Sequence, residues 1–368
     1  MGFVCGIIGM PNVGKSTVFN ALTGGGAEVS NYPFCTIEPN RGVAPVPDPR
    51  LAVLGQRLTP EKLTPTFMEF MDVAGLVEGA SHGEGLGNTF LGHIRAVDAL
   101  VHVVRVFEDS DIVHVRGNVS PLEDIALIET ELVLADLETV ERRLEKVRRY
   151  ERIGQKEAKE EMGILEVLRE HLGAATPVRH FQVKGLSEEK LKEWGLLTSK
   201  PIIYVANIGE EQIPEQERIC VRIQQLIGTE NTRVIPLCAA LEQDLLRMEP
   251  EEQEKFREEL GLGGSGFMCL VEAGYQILDL ITFYTIVGKE VRAWTLKQGD
   301  TLYQAAGKIH TDMQKGFIRA EILRFDDFVL SSSEQAAREK GLMKMEGKEY
   351  VVRDGDIVRI RFQKGTLH

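Results

Sequence analysis

Eight consecutive residues near the start of the chain have the types and the spacing that a phosphate-binding loop requires. Residues 9–16 read Gly-Met-Pro-Asn-Val-Gly-Lys-Ser and match the pattern G-x-x-x-x-G-K-[ST]. Gly9 and Gly14 allow backbone N–H groups to wrap closely around phosphate oxygens. Lys15 is expected to reach the β- and γ-phosphates as a catalytic residue, and the Ser16 hydroxyl to bind Mg²⁺. The pattern therefore predicts a nucleoside triphosphate site of the P-loop type.

The residues around this loop supply the context that the chemistry needs. An apolar run over residues 3–9 predicts a buried strand, and a helix is expected from about Gly14 to Leu22. The amino end of that helix would direct its partial positive charge at the bound anion. We expect the loop and the first helical turn to contact the nucleotide through Asn12, Val13, Gly14, Lys15, Ser16 and Thr17.

Two later segments have the residues of nucleotide-sensing switches. Thr36 follows the P-loop at the distance where a switch threonine completes the Mg²⁺ shell and senses the γ-phosphate. Asp72 ends a strand-like run, which is the position of a carboxylate near Mg²⁺. Gly75 can then offer its N–H to the γ-phosphate and is a second catalytic candidate. Ser16, Thr36 and Asp72 are the predicted metal ligands.

A four-residue segment after a later apolar strand bears on the choice of base. Guanine-specific P-loop proteins carry Asn-Lys-x-Asp there, whereas this chain reads Asn207-Ile208-Gly209-Glu210. The lysine is absent, and the extra methylene of Glu210 moves the carboxylate by more than a hydrogen bond tolerates. The guanine-reading segment is therefore degraded, and backbone groups near Ile208 could read adenine instead. A final base-contacting loop is expected at Cys238 and Ala239.

The residue that would orient the attacking water is missing from its usual place. Many related enzymes have a glutamine directly after the switch glycine, and this chain has Leu76, which cannot orient water. Either the intrinsic rate is low or another group acts. Histidine candidates are His82, His93, His102 and His114. His114 follows a strand and could swing in on a loop. Asn12 could instead hold a monovalent cation such as K⁺ beside the phosphates, although a turn-forming role explains it equally well.

Composition limits the class of protein. The 368 residues carry a net charge of −13, which argues against DNA as a partner, but residues 281–368 carry 8 Lys and 7 Arg against 12 Asp and Glu. Five widely spaced cysteines without a C-x-x-C pair argue against a disulfide framework or a zinc site. No apolar run approaches the length of a membrane helix, and the first residues lack the features of a secretory signal. We expect a cytoplasmic protein with no membrane partner.

Apolar periodicity predicts three domains. Short apolar runs that alternate with helical stretches indicate a largely parallel sheet with helices on both faces, which is an α/β fold. Two amphipathic stripes between residues 121 and 199 predict a helical hairpin, either packed only on itself or also used as a docking arm. The predicted domains are a P-loop NTPase domain over 1–120 and 200–280, the helical coiled-coil insertion over 121–199, and a strand-rich domain over 281–365.

Several blocks resemble those of one family. The blocks are residues 9–17, 31–40, 72–76, 207–210, 290–295, 305–312 and 315–318. Together they are similar to the Obg-like ATPase family, in particular its bacterial YchF branch, over essentially the whole chain.

The resemblance implies more than the residues alone. It implies a Ras-like G domain interrupted by the hairpin, followed by a ubiquitin-like β-grasp domain of the TGS type. It implies Mg²⁺-dependent hydrolysis of ATP rather than GTP, with His114 in place of the missing glutamine. It also implies binding to the ribosome or ribosomal RNA through the TGS domain and the hairpin, as a nucleotide-regulated switch in translation. Separately, we expect a monomer.

Three alternatives stay open at this point. The chain could be a GTPase of ordinary specificity, although Glu210 argues against that. It could be an RNA or ribosome adaptor clamped by nucleotide, with incidental hydrolysis, which Leu76 favours. A nucleotide kinase would need a phosphate-acceptor site and an arginine-rich lid, and the sequence shows no such lid.

Overall fold

A computed structural model of the chain describes residues 3–24, 40–73, 87–109, 119–151, 156–228, 232–331 and 334–363. The chain divides into two compact units. The P-loop unit consists of Phe3–Val43 and Glu69–Leu270, and the C-terminal unit consists of Ala44–Met68 and the chain from Val271 onward. None of the helices in the described ranges combines the length and the apolar character that a bilayer span demands.

The described strands and helices follow in chain order. The strands are β1 Val4–Ile8, β2 Arg41–Pro45, β3 Lys62–Thr64, β4 Phe67–Asp72, β5 Ala99–Arg105, β6 Ile202–Asn207, β7 Arg233–Leu237, β8 Leu280–Val287, β9 Glu290–Lys297, β10 Phe317–Arg324, β11 Lys344–Glu346 and β12 Asp356–Phe362. The helices are α1 Lys15–Gly24, α2 Pro49–Leu58, α3 Asn88–Ala96, α4 Pro121–Glu151, α5 Lys156–Gly173, α6 Glu188–Trp194, α7 Gln216–Ile227, α8 Ala239–Leu245, α9 Pro250–Glu259, α10 Gly266–Ile277, α11 Leu302–Ile309, α12 Thr311–Lys315, α13 Phe325–Ser331 and α14 Glu334–Glu339. Short 3-10 helices cover Val178–His180 and Glu210–Glu215.

The first sheet has the strand order β2-β4-β1-β5-β6-β7. The pairs from β4 through β7 are all parallel. Every residue of β1, β5 and β6 is buried, as expected for strands covered on both faces. The carboxyl ends of these strands meet at one edge, where ligands bind in open parallel sheets. The α/β fold predicted from the alternating pattern is confirmed.

The helical hairpin consists of α4 and α5, and its core contains the two predicted apolar stripes. The buried residues at its centre include Val140, Leu144, Val147, Leu165, Leu168 and Leu172. At its base the buried carboxylate of Asp136 accepts hydrogen bonds from the Leu197 N–H at 2.7 Å, the Thr198 N–H at 2.8 Å and the Thr198 hydroxyl at 2.6 Å. These bonds anchor the long helix to the segment that returns to the sheet. A use of the hairpin as a docking arm stays a prediction.

The second sheet has the order β11-β10-β12-β8-β9-β3. It mixes antiparallel pairs, β10 with β12 and β8 with β9, and parallel pairs, β12 with β8 and β3 with β9. Leu302 and Ala305 of α11 pack on one face, in a core with Phe283 and Val358. The other face is covered by side chains from α2, α13 and α14. A mixed sheet with α11 packed on one face is the arrangement expected of a β-grasp domain, and here α2, α13 and α14 cover the other face.

The segment 44–68 differs from its predicted place. The sequence assigned it to the P-loop NTPase domain, whereas it packs with the C-terminal residues. Leu51 and Leu54 lie in one core with Tyr284, and the Tyr284 hydroxyl donates to Asp48. An apolar pattern shows that one face of a helix is buried, but it does not show against which distant strand.

We predict that Leu54→Ala destabilises the C-terminal unit by about 2–5 kcal/mol, because it opens a cavity at a fully buried site. The chain has 2 tryptophans, Trp194 in the P-loop unit and Trp294 in the C-terminal unit. In a Trp194→Phe background, Trp294 fluorescence during denaturant unfolding therefore reports the C-terminal unit. Leu330→Ala, at a side chain that is 76% exposed, is the matched control. Equal midpoints for the two variants would contradict the assignment of α2 to this unit.

We also predict that His102 of β5 weakens the fold in acid. The imidazole is fully buried, and burial, with Arg179 and Lys15 nearby, lowers its pKa from 6.5 to about 3. The unfolded chain takes up the proton below about pH 6.5 while the folded chain does not, so stability falls as the pH drops from there toward 3. The loss is about 1.4 kcal/mol per pH unit.

His102→Phe replaces the ring with an apolar one and removes this dependence. Denaturant unfolding measures the free energy of unfolding near pH 6 and near pH 5. Between these two values it should fall by about 1.4 kcal/mol less in the variant than in the unaltered protein. The same drop in both proteins would show that this imidazole does not stay neutral in the folded state.

Candidate nucleotide-binding site

The loop between β1 and α1 has a backbone that requires its residue types. Gly9 has φ 152°, and a Cβ there would lie 2.4 Å from the carbonyl oxygen of Val103. Gly14 has φ 95°, and its Cβ would lie 2.4 Å from Nδ2 of Asn207. Asn12 has φ 60°, a left-handed conformation that asparagine tolerates. The turn alone therefore accounts for Asn12, and a role in binding K⁺ stays a prediction.

Lys15 is held inside this loop. Its side chain is only 8% exposed, and its Nζ donates a hydrogen bond to the carbonyl oxygen of Met10 at 2.8 Å. Burial lowers the pKa of the ammonium group, and the charge of Asp72 opposes that shift. Phosphate oxygens could replace the carbonyl as acceptors, so the geometry suits the predicted role.

The Ser16 hydroxyl, in the first turn of α1, contacts the carboxylate of Asp72, the last residue of β4. Ser16 Oγ donates to Asp72 Oδ2 at 3.0 Å, while the buried Asp72 Oδ1 has no hydrogen-bond partner among the described residues. A hydroxyl oxygen and an unpartnered carboxylate oxygen are the hard ligands that Mg²⁺ prefers, so the residues present fit this ion. Within the described ranges, no group of three or more His, Cys, Asp or Glu side chains is placed so that it could hold a metal ion.

Asn207, at the end of β6, connects two loops. Its Nδ2 donates to the Val13 carbonyl oxygen at 2.9 Å, and its Oδ1 accepts from the Ala239 N–H at 3.1 Å. The sequence suggested Asn207 as a residue of the base-reading segment. Both ends of its amide also bind protein groups, so this residue ties the P-loop to the segment Cys238–Ala240.

A cleft of about 660 Å³ opens beside these loops. The predicted residues that line it are Asn12, Gly14, Thr17, Asn207, Ile208, Glu210, Cys238 and Ala239. Other lining residues are Phe107, Glu108, Asp109, Gly209, Glu211 and Ala240. Val13 is fully buried and contributes its carbonyl to Asn207 instead. Residues 107–109 were not predicted as site residues, although their place directly after a buried parallel strand was a usable signal.

The segment after β5 is fixed by a buried arginine. Arg105 Nε donates to the Phe107 carbonyl oxygen at 3.1 Å, and Nη2 donates to the Asp109 carbonyl oxygen at 3.2 Å. The guanidinium carbon lies 4.5 Å from the centre of the Phe107 ring. An aromatic ring is therefore held at the cleft wall by contacts within the protein.

The remaining predicted groups fall into two sets. His102 is a buried strand residue that cannot reach water, so that candidate for orienting the attacking water is wrong. His93 lies half-buried on α3. Outside the described residues lie Thr36, Gly75, Leu76, His82 and His114. Their roles stay predictions.

Comparison with known proteins gives matches over almost the whole chain. A family model described as a 50S ribosome-binding GTPase matches residues 4–135, and the model YchF-GTPase_C, described as a protein of unknown function, matches residues 280–363. The relative named "Ribosome-binding ATPase YchF" from Escherichia coli O157:H7 is 48% identical over 362 residues, 98% of this chain and 99% of the relative. The relative of the same name from Bacillus subtilis is 47% identical over 364 residues, 98% and 100% of the two chains.

A solved structure agrees with these relatives. It is titled "Structure of the Schizosaccharomyces pombe YchF GTPase", has a TM-score of 0.89 and 37% identity, and the match covers 98% of both chains. Such identity and coverage, on a chain that has the P-loop and the cleft described above, show that this protein belongs to the YchF family.

Proposed function

We propose that this protein is an Mg²⁺-dependent ATPase that hydrolyses ATP to ADP and phosphate and uses its nucleotide state to regulate ribosome binding. The observation that carries the proposal is the joining of a complete P-loop, a Ser16–Asp72 pair and a base-sized cleft at one sheet edge. The printed names of the bacterial relatives support both the ATPase activity and the ribosome as partner.

The phosphate end of the cleft is positively polarised. The amino end of α1 and the enclosed Lys15 both attract the triphosphate and stabilise the negative charge on its oxygens during transfer. Mg²⁺ bound by Ser16 and Asp72, with Thr36 as a further proposed ligand, would add positive charge at the β- and γ-phosphates. Gly75 and His114 are the proposed groups that contact the γ-phosphate and orient water, and K⁺ near Asn12 is the alternative to His114.

The base end of the cleft favours adenine. The Ile208 N–H donates to the Leu237 carbonyl oxygen at 3.0 Å, and the Gly209 N–H donates to Gln212 Oε1 at 2.9 Å. Because these two donors are already bonded within the protein, they are not available to the O6 acceptor of guanine. Adenine has an N6 amine at that position and does not need them. Glu210 lines this end but carries the longer side chain that displaces a guanine-reading carboxylate.

Charge on the C-terminal unit supports a contact with ribosomal RNA. Arg319 lies directly opposite Arg361 in the register of β10 and β12, and like charges in that position destabilise a sheet. Beside them Glu321 accepts from Arg338 Nη2 at 2.8 Å and from Arg361 Nη2 at 3.1 Å, with Arg359 Nη1 at 3.9 Å. The excess of guanidinium groups at one site would be offset by phosphates of a bound RNA.

The exposed face near the tip of α4 supports the hairpin as a second contact. Arg142, Lys146 and Arg149 are exposed and follow helical spacing, so they share one side of α4. This stripe is positive in a unit whose overall charge is negative. We propose that the protein acts as a monomer and binds with these two surfaces.

A nucleotide-clamped adaptor is the second candidate function, because Leu76 replaces the water-orienting glutamine. In that case nucleotide would only stabilise the protein, and ribosome binding would not depend on nucleotide state. Ribosome binding by Lys15→Ala equal to that of the unaltered protein would favour the adaptor and count against the switch.

We predict that the protein binds ATP more tightly than GTP. Titration of fluorescent ATP and GTP analogues in the presence of Mg²⁺ measures both affinities, and this matters because the fission yeast structure is titled a GTPase. The double variant Ile208→Lys, Glu210→Asp restores the guanine-reading residues and should reduce the difference between the affinities for ATP and GTP. Lys15→Ala should lower ATP hydrolysis about a hundredfold, because it removes a charge that stabilises the transition state. Tighter binding of GTP than of ATP by the unaltered protein would contradict the proposed preference for ATP.

We predict that Arg319→Gln, Arg361→Gln weakens ribosome binding and makes it less sensitive to salt. Losing two phosphate contacts should lower the slope of log affinity against log salt by about 2. Sedimentation with ribosomes at several salt concentrations measures both effects. The charge-matched control is Arg218→Gln, Arg247→Gln, two well exposed arginines of the P-loop unit. If the control weakens ribosome binding as much as Arg319→Gln, Arg361→Gln does, the effect reflects net charge, and the proposed RNA-binding surface is wrong.

A further inference from the structure

A single buried carboxylate stands behind the base end of the cleft. Glu242, in the first turn of α8, is 4% exposed. Arg257 Nη1 donates to its Oε1 at 3.0 Å and Nη2 to its Oε2 at 2.9 Å. Ser265 Oγ donates to Oε2 at 3.2 Å, and the Gly266 N–H donates to Oε1 at 2.6 Å. One side chain thus joins α8 to α9 and to the first residue of α10.

Such a network does little for stability by itself. The attraction within a buried ion pair is largely offset by the cost of removing both charges from water, and well-packed apolar residues often serve equally well. A carboxylate with four directed donors does, however, allow only one placement of the helix that carries it. The network therefore sets geometry more than it adds free energy of folding.

The geometry that it sets is that of the cleft wall. α8 begins at Ala239, directly after Cys238, and the Glu242 N–H donates to the Cys238 carbonyl oxygen at 3.0 Å. The lining segment Cys238–Ala240 has only small side chains, which cannot anchor themselves. It is held from one side by Asn207, through the Ala239 N–H, and on the other side it continues into α8, which the Glu242 side chain ties to Arg257, Ser265 and Gly266.

The same network reaches the opposite base segment. A Cβ on Gly266 would lie 2.5 Å from Leu237 Cδ1, so this glycine packs directly against the last residue of β7. The carbonyl oxygen of Leu237 accepts the Ile208 N–H at 3.0 Å. Glu242 therefore supports both of the segments that enclose the base, and none of its four side-chain bonds goes to the P-loop.

We infer that Glu242 is a positioning residue that fixes the base-binding end of the cleft and so sets the affinity for the nucleoside part of the ligand, independently of the phosphate part. The inference deepens the proposed function and rests on it. Glu242→Gln keeps the shape of the side chain but turns one acceptor into a donor, which then faces Arg257 or the Gly266 N–H.

The test compares a ligand that has a base with one that lacks it. Calorimetric titration in Mg²⁺ would measure dissociation constants for ADP and for inorganic tripolyphosphate. Glu242→Gln should raise the dissociation constant of ADP at least tenfold and change that of tripolyphosphate by less than about twofold. The matched control is Asp136→Asn, which alters another buried carboxylate with three donors, located at the base of the hairpin. For this control, the dissociation constants of both ligands should stay within about twofold of those of the unaltered protein.

Each outcome supports or overturns the role of Glu242 as a positioning residue for the base-binding end. Equal weakening of both ligands by Glu242→Gln, or no weakening of ADP, would overturn the inference, and so would an equal base-selective loss in Asp136→Asn. If Glu242→Gln does not fold, Ser265→Ala removes one bond and keeps the ion pair, and it should still weaken ADP selectively, by about two- to fivefold. Failure of the unaltered protein to bind any nucleotide would instead reject the proposed function. In steady-state hydrolysis, Glu242→Gln should raise KM for ATP and leave kcat nearly unchanged.

Discussion

The side-chain amide of Asn207 connects the two ends of the cleft, and the other site residues depend on that connection. One end of the amide holds the Val13 carbonyl of the P-loop, and the other holds the Ala239 N–H of the base segment. The close approach requires a residue without a Cβ at Gly14. The phosphate cradle and the base pocket come from segments almost two hundred residues apart in the chain, and this side chain keeps them in register.

Around that connection, buried polar side chains hold neighbouring segments in place through hydrogen bonds. Arg105 fixes the segment that carries Phe107, and Asp136 fixes the base of the hairpin. Glu242 fixes the wall opposite. In each case a charged or polar group is buried with its partners in place, so it specifies a geometry that apolar packing would leave less defined.

Much of the fold follows from local pattern. The P-loop, the parallel strands and the two hairpin stripes each depend on residues close together in sequence, so periodicity and a short motif are enough to predict them. The cleft lining at 238–240 also follows, because it comes directly after a buried parallel strand. The network of Glu242 could not be predicted, because an acidic residue on a short helix is usually solvated and its three partners lie 15 to 24 residues away.

The segment 44–68 could not be placed from sequence for a related reason. Its apolar residues predict a buried helix face, but the strands that bury it begin only at residue 280. Thr36 and Gly75 are predicted from their order relative to the P-loop, and His114 from the family resemblance, and all three lie outside the described residues. Their roles in sensing and hydrolysing the nucleotide stay predictions.

The placement of residues 44–68 also has a consequence for how the chain is made. During synthesis these residues leave the ribosome about two hundred residues before their partners from Val271 onward. Until then Leu51 and Leu54 have no core to enter, and β3 has no strand to pair with. The C-terminal unit can close only after the last strand emerges, so an early segment stays exposed throughout elongation, when chaperones have the longest access to it.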